Sequence, residues 1–165
     1  MDGSSDRRNR ISKIDLDEQL RVRRNADIEH ERTVAIFDLL EDNSFALPAR
    51  EDRAVPPGPY RLDLSIRDRR LVFGIRTEAG DPAAEFHLSL GPFRQVVKDY
   101  FQICESYFSA VRTQPPSQIE TIDMARRGIH DEGARTLQER LAGKAVLDRP
   151  TARRLFTLIC VLQRG

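Results

Sequence analysis

The side chains best able to do chemistry lie together in one run, Asp123-Met-Ala-Arg-Arg-Gly-Ile-His-Asp-Glu-Gly133. Residues three and four apart share a helix face, so Asp123, Arg127, His130 and Asp131 would form one polar flank beside an apolar stripe. Arg126 reaches the same His130 from one turn back. Two guanidiniums beside an imidazole can grip a carboxylate or phosphate bidentately. The same spacing also produces ordinary surface ion pairs, Asp123 with Arg127 and Asp131 with Arg135, which contribute little. Two readings therefore stand: an anion or partner site at Asp123, Arg126, Arg127, His130 and Asp131, or a solvated helix.

Two further histidines have acidic neighbours. In Glu29-His30-Glu31 an imidazole flanked by carboxylates could be held protonated or join a metal site. On a helix, however, those acids project to different sides. His30 shares a face with Val34 and Phe37, as at the margin of a core, and the acids suit the positive end of the helix. His87 falls on the polar side of a strand, the side of Arg61, Asp63 and Ser65. A register that placed it opposite Asp63 would make a His–Asp pair.

Other catalytic patterns are missing from the sequence. It contains no Gly-rich phosphate loop and no Gly-x-Ser-x-Gly elbow. His30, His87 and His130 show no ligand spacing, so neither a metal nor a cofactor is expected. Cys104 and Cys160 sit in apolar runs, where free cysteine behaves as a small hydrophobe and not as a thiolate nucleophile or a redox pair.

Charge narrows the partners. With 27 basic and 26 acidic side chains the net charge is +1, which creates no strong field toward nucleic acid or anionic membrane. Arginine outnumbers lysine 24 to 3, a bias attributed to a GC-rich genome. No aromatic and basic interleaving of the kind that stacks bases is present. Nucleic-acid binding through Arg7, Arg8 and Arg10 with Arg21, Arg23 and Arg24 is the least supported reading. Met1–Arg10 is charged with no apolar stretch after it, unlike a secretory signal. The longest apolar run, Leu155 to Leu162 interrupted by Thr157, falls short of the ~20 residues that cross a bilayer. A cytoplasmic protein is expected.

The elements that must position these residues read as one α+β domain. A chain of 165 residues buries enough surface to fold without a metal or disulfide. Residues 1–10 are expected to be a mobile arm and 11–165 a single domain. Lys13–Asp17 alternates as a short strand. Asp27–Asp42 has helical spacing at Ile28, Ala35, Ile36, Leu39 and Leu40, widened by Val34 and Phe37 so that its second half is expected to be well buried. Asn43–Pro59, with four prolines, reads as a long surface loop. A β-meander follows: Tyr60, Leu62, Leu64 and Ile66, then Leu71, Phe73 and Ile75, then Phe86, Leu88 and Leu90, with turns at 67–70 and 80–82. Such alternation favours an antiparallel sheet with one packed and one solvated face.

The apolar stripe from Phe93 to Val111 marks a helix expected to cover that sheet. Ser117 and Glu120 suggest a capping box for the next helix, in which Gly128 and Gly133 are weak points. A last helix starts at Pro150, capped near Asp148 or Arg149. The expected fold is thus a three- or four-stranded antiparallel β-meander packed on one face by about four helices. Leu155, Phe156, Leu158, Ile159 and Leu162 leave that last helix apolar almost all round. It is either central to the core or covered by another subunit.

The segments Ile28-Glu-His-Glu-Arg32, Ala35-Ile-Phe-Asp-Leu-Leu-Glu41 and Gly58-Pro-Tyr-Arg-Leu62 carry a resemblance. So do Phe93-Arg94, Lys98-Asp-Tyr-Phe101, Ile103-Cys-Glu-Ser-Tyr107, Pro116-Ser-Gln-Ile-Glu120, Arg126-Arg-Gly128 and Thr151–Leu162. Across nearly everything after the N-terminal arm the chain resembles an uncharacterised protein family found mainly in alphaproteobacteria. That resemblance implies a bacterial cytoplasmic protein and brings no reaction, ligand or catalytic residue. Two functions remain: a non-catalytic adaptor or regulatory module that self-associates or meets a protein partner, and an anionic-ligand binder or enzyme using Arg126, Arg127 and His130.

Overall fold

In a computed structural model of the chain, residues 8–17 and 26–164 are described. Arg21, Arg23, Arg24 and the first seven residues of the expected arm, Arg7 among them, lie outside these. The elements are β1 (Ile11–Leu16), α1 (Ala26–Glu41), β2 (Phe45–Ala46), β3 (Tyr60–Arg67), β4 (Arg70–Thr77) and β5 (Pro82–Ser89). A 3₁₀ turn (Gly91–Phe93) leads into α2 (Arg94–Thr113), followed by α3 (Pro116–Arg140), β6 (Val146–Leu147) and α4 (Arg149–Arg164).

The alternating segments form a four-stranded sheet in the order β1-β3-β4-β5. Strands β3, β4 and β5 make the antiparallel meander. The short N-terminal strand joins its edge in parallel to β3, so the α+β fold has a mixed, mostly antiparallel sheet. Strands β3 and β4 are joined by a two-residue turn, with Asp68 and Arg69 at φ 52° and 63°. That left-handed backbone matches the twist of the flanking strands. On the packed face Tyr60, Leu62, Leu64, Leu71, Phe73, Ile75 and Leu88 are buried.

The helices pack differently from the sequence expectation. The terminal helix α4, not the helix from Phe93 to Val111, is the central one: it packs against β3, α1 and α3, while α2 packs on α3. Leu155, Phe156, Leu158, Ile159 and Leu162 are all buried inside the single chain. The expectation that these five residues form a self-association surface is corrected, because other elements of the same chain already cover them. Asp148 Oδ1 accepts the Thr151 amide at 2.9 Å and caps this helix.

Other expectations change too. Val34 and Phe37 are exposed, Phe37 by 66%, while Ala35 and Leu39 face inward. The helix α1 thus turns its aromatic residue outward. The Ser117–Glu120 capping box does not form: α3 begins at Pro116, so Ser117 lies inside the helix and Pro115 occupies the cap. The 43–59 loop is pinned at both ends. Phe45 is fully buried in the two-residue ladder between β2 and β6, and the Tyr60 hydroxyl donates to the Pro56 carbonyl at 2.7 Å. Gly58–Pro59 is cis, and Gly58 lies so close to the Arg8 carbonyl that no Cβ would fit. Residues 8–10, assigned in sequence to the mobile arm, bond to the domain: the Phe45 amide donates to Asn9 and the Tyr60 amide to Arg10.

Candidate functional site

Helix α3 carries all five residues of the polar constellation, and it runs unbroken through both glycines. Gly128 has open space around its Cα, whereas Gly133 faces the Phe156 ring of α4. That close approach draws α3 onto α4 and sets the direction of His130, three residues earlier.

His130 points inward. Its Nε2 lies 2.8 Å from the Arg153 carbonyl and 2.9 Å from Thr157 Oγ1. A carbonyl only accepts, so this arrangement assigns the proton to Nε2, donating to Arg153. The ring is packed between Tyr100 and Phe156, with centroids 5.4 and 6.0 Å away. Burial pushes its pKa down to about 4; the positive charges of Arg153 and Arg126 also lower it, while the Arg153 carbonyl and Asp131 oppose the shift. The imidazole is therefore neutral near pH 7 and acts as a link between α3 and α4.

Arg126 turns the other way, toward α1 and α2. Its Nε and Nη2 donate to Asp123 Oδ1 at 3.1 and 2.7 Å. Nη1 lies 3.6 Å from Glu31 Oε1, and the guanidinium carbon sits 4.2 Å from the centre of the Tyr107 ring. One cation thus meets two carboxylates and an aromatic face from three helices. The Tyr100 hydroxyl adds a long contact of 3.5 Å to Glu31 Oε2. Burial raises the Tyr100 pKa and pushes the Cys104 thiol up to about 11, so neither group is a ready anion. Burial likewise raises the Cys160 thiol.

The remaining members separate further. Arg127 is 72% exposed in its side chain and pairs with Asp123 Oδ2 at 3.0 Å. Asp131 pairs with Arg135 at 3.1 Å and with Arg149, at the start of α4, at 2.9 Å. The hydrogen bond from Arg149 holds the Asp131 carboxyl below its ordinary range, with Arg135 adding to it. Arg126, Arg127 and His130 consequently do not converge on one open cleft. Asp123–Arg127 and Asp131–Arg135 form the ion pairs that i,i+4 spacing predicts, but His130 leaves that flank for the core. Glu31, Tyr100, Tyr107 and Thr157 complete the cluster from other elements; the signals in the sequence are the acidic run around His30 for Glu31 and polar atoms within apolar stripes for the other three.

Neither of the other two histidines forms the pair its neighbours suggested. His30 is exposed on α1. His87 lies across from Val72, not Asp63, and its Nε2 is 2.9 Å from Glu85 Oε2 on its own strand. Among the described residues no group of three or more His, Cys, Asp or Glu is arranged to hold a metal ion, and no helix is long and apolar enough to cross a membrane.

Comparison with known proteins gives one consistent result. The profile of an uncharacterised protein family (UPF0262) matches residues 8–164. A UPF0262 protein of Ruegeria pomeroyi is 74% identical over 156 residues, covering 94% of this chain and 97% of its own. A UPF0262 protein of Cereibacter sphaeroides is 69% identical over 157 residues, covering 95% and 99%. One of Paracoccus denitrificans is 67% identical over 157 residues, covering 95% and 97%. No solved structure matches the chain.

Proposed function

The chain belongs to the uncharacterised UPF0262 family, and we propose that it is a non-catalytic adaptor or regulatory module, acting in the cytoplasm and associating with itself. The observation that carries this reading is the inward seating of His130 between the Arg153 carbonyl, Thr157, Tyr100 and Phe156. A general base must reach a substrate proton and titrate near the working pH. Here the imidazole is enclosed by its own helices, and the nearby thiol and phenol are held protonated. Arg126 is likewise occupied by Asp123 and Glu31. The chemistry-bearing side chains serve to join α1, α2, α3 and α4, which leaves the outer surfaces for function.

Native mass spectrometry of untagged protein purified gently from its own host tests this. A homo-oligomer, or a mass increased by a second protein, supports the module. A bare monomer at every concentration opposes it. A small bound mass that disappears on replacing Arg126 and Arg127 by Ala would instead establish the anionic-ligand reading.

A further inference from the structure

The sheet face turned away from the helices carries its charges in rows. Lys13 pairs in register with Arg61, and Arg61 with Arg76, placing three cations side by side across β1, β3 and β4. The next row on the same face is Asp15, Asp63, Gly74 and Glu85. Like charges directly opposite one another on neighbouring strands disfavour a sheet. Within one chain the rows are only partly offset. Arg76 reaches Asp63 at 2.7 Å and Lys13 lies 3.9 Å from Asp15. Arg61, half-buried between two cations, forms no salt bridge among the described residues. These side chains remain open, from 37% exposure at Asp63 to 58% at Lys13. Gly74, where the acidic row lacks a side chain, lies in a concavity of about 620 Å³ whose charged lining is Asp63 and Glu85 together with Arg53, Arg67 and Arg76.

We propose that this face binds a second copy of the chain about a two-fold axis that lies between the cationic and the acidic row and runs parallel to both. A two-fold interface must present the same patch twice and be complementary to itself. Adjacent rows of opposite sign satisfy that condition: rotation sets Arg61 of one protomer against Asp63 of its partner, and Lys13 against Asp15. Arg76 then faces Gly74, where the concavity has room for its long side chain. The exposed hydrophobic residues offer no comparable surface: only Val34 and Phe37 share an element, α1, while Val111, Met124 and Val146 stand on three others, and scattered apolar side chains are normal. Charge rows of this kind fix register and are weakened by salt. This inference rests on the self-association reading and assigns it a surface.

Two variants test it by sedimentation velocity, with folding checked by circular dichroism. Lys13→Glu with Arg61→Glu makes the face acidic; Asp15→Lys with Asp63→Lys makes it basic. The wild type should self-associate at low salt and dissociate at high salt. Each variant alone should lose affinity by at least about tenfold, and an equimolar mixture should recover the dimer. Should either double variant fail to fold, the single Lys13→Glu and Asp15→Lys variants, both at exposed positions, are mixed in the same way. Self-association of each variant alone as strong as that of the wild type, or no recovery on mixing, overturns the sheet face while leaving self-association standing. A wild type that stays monomeric in every salt removes both.

Discussion

Gly133 of α3 lies against the Phe156 ring of α4 so closely that a Cβ at Gly133 would overlap ring atoms. Phe156 is itself fully buried and packs edge-on to Tyr100 at 5.6 Å between centroids. The ring therefore has no open side into which to retreat. Gly133→Ala should destabilise the protein by about 1–3 kcal/mol in urea unfolding, since overpacking outweighs the helix propensity of alanine. Gly128→Ala is the contrast. Nothing lies within 4 Å of its added methyl, so stability should rise by up to ~1 kcal/mol.

Arg126 and Glu31 join α3 to α1, and the guanidinium is largely covered. Removing one partner leaves a partly buried charge exposed to less favourable surroundings. Arg126→Ala should cost about 2 kcal/mol, including its packing on Tyr107. A double-mutant cycle with Glu31→Gln, read by urea unfolding, should give a coupling of about 0.5–1 kcal/mol. Zero coupling would mean that Asp123 alone holds the guanidinium.

Asn43 fastens the parallel edge strand. Its Oδ1 accepts the Ile11 amide at 2.7 Å, while Nδ2 donates to the Ile11 carbonyl at 2.9 Å and to the Leu39 carbonyl at 2.8 Å. One side chain thus ties β1 to the end of α1. Asn43→Ala should cost about 1–3 kcal/mol because these backbone groups lose their partners. Amide hydrogen exchange should quicken in β1 and change little in β4, the inner strand of the meander.

These residues also show what the sequence could and could not disclose. The meander was readable because Leu62, Leu64, Phe73 and Ile75 alternate, and alternation is a local property of a strand with one packed face. The parallel pairing of β1 was not, because its partner lies some fifty residues away and Asn43, which secures it, resembles any loop asparagine. Phe37 misled for a related reason: its apolar side chain says nothing about which side of α1 meets α4. The capping box failed because Pro115 and Pro116 start the helix two residues earlier than a cap at Ser117 requires. His130 was singled out for its charged neighbours in sequence, but the side chains around it in space, Tyr100, Phe156 and Thr157, come from two other helices. Charge rows on the outer sheet face depend on register, which no single strand specifies.

An NMR titration of the His130 ring separates a constellation that joins helices from one that transfers protons. Its folded pKa of about 4 lies below the ordinary histidine value near 6.5. The unfolded chain therefore takes up a proton first as pH falls. The contribution to stability is complete above about pH 6.5, declines between 6.5 and 4, and levels off below 4. Between pH 7 and pH 5 the loss from this residue is about 2 kcal/mol, and His130→Gln should remove most of it. A ring enclosed between α3 and α4 should stay neutral, with its proton on Nε2, down to about pH 4. A ring that titrates near pH 6.5 and is shifted by added anions would contradict it and return His130 to the list of reactive groups.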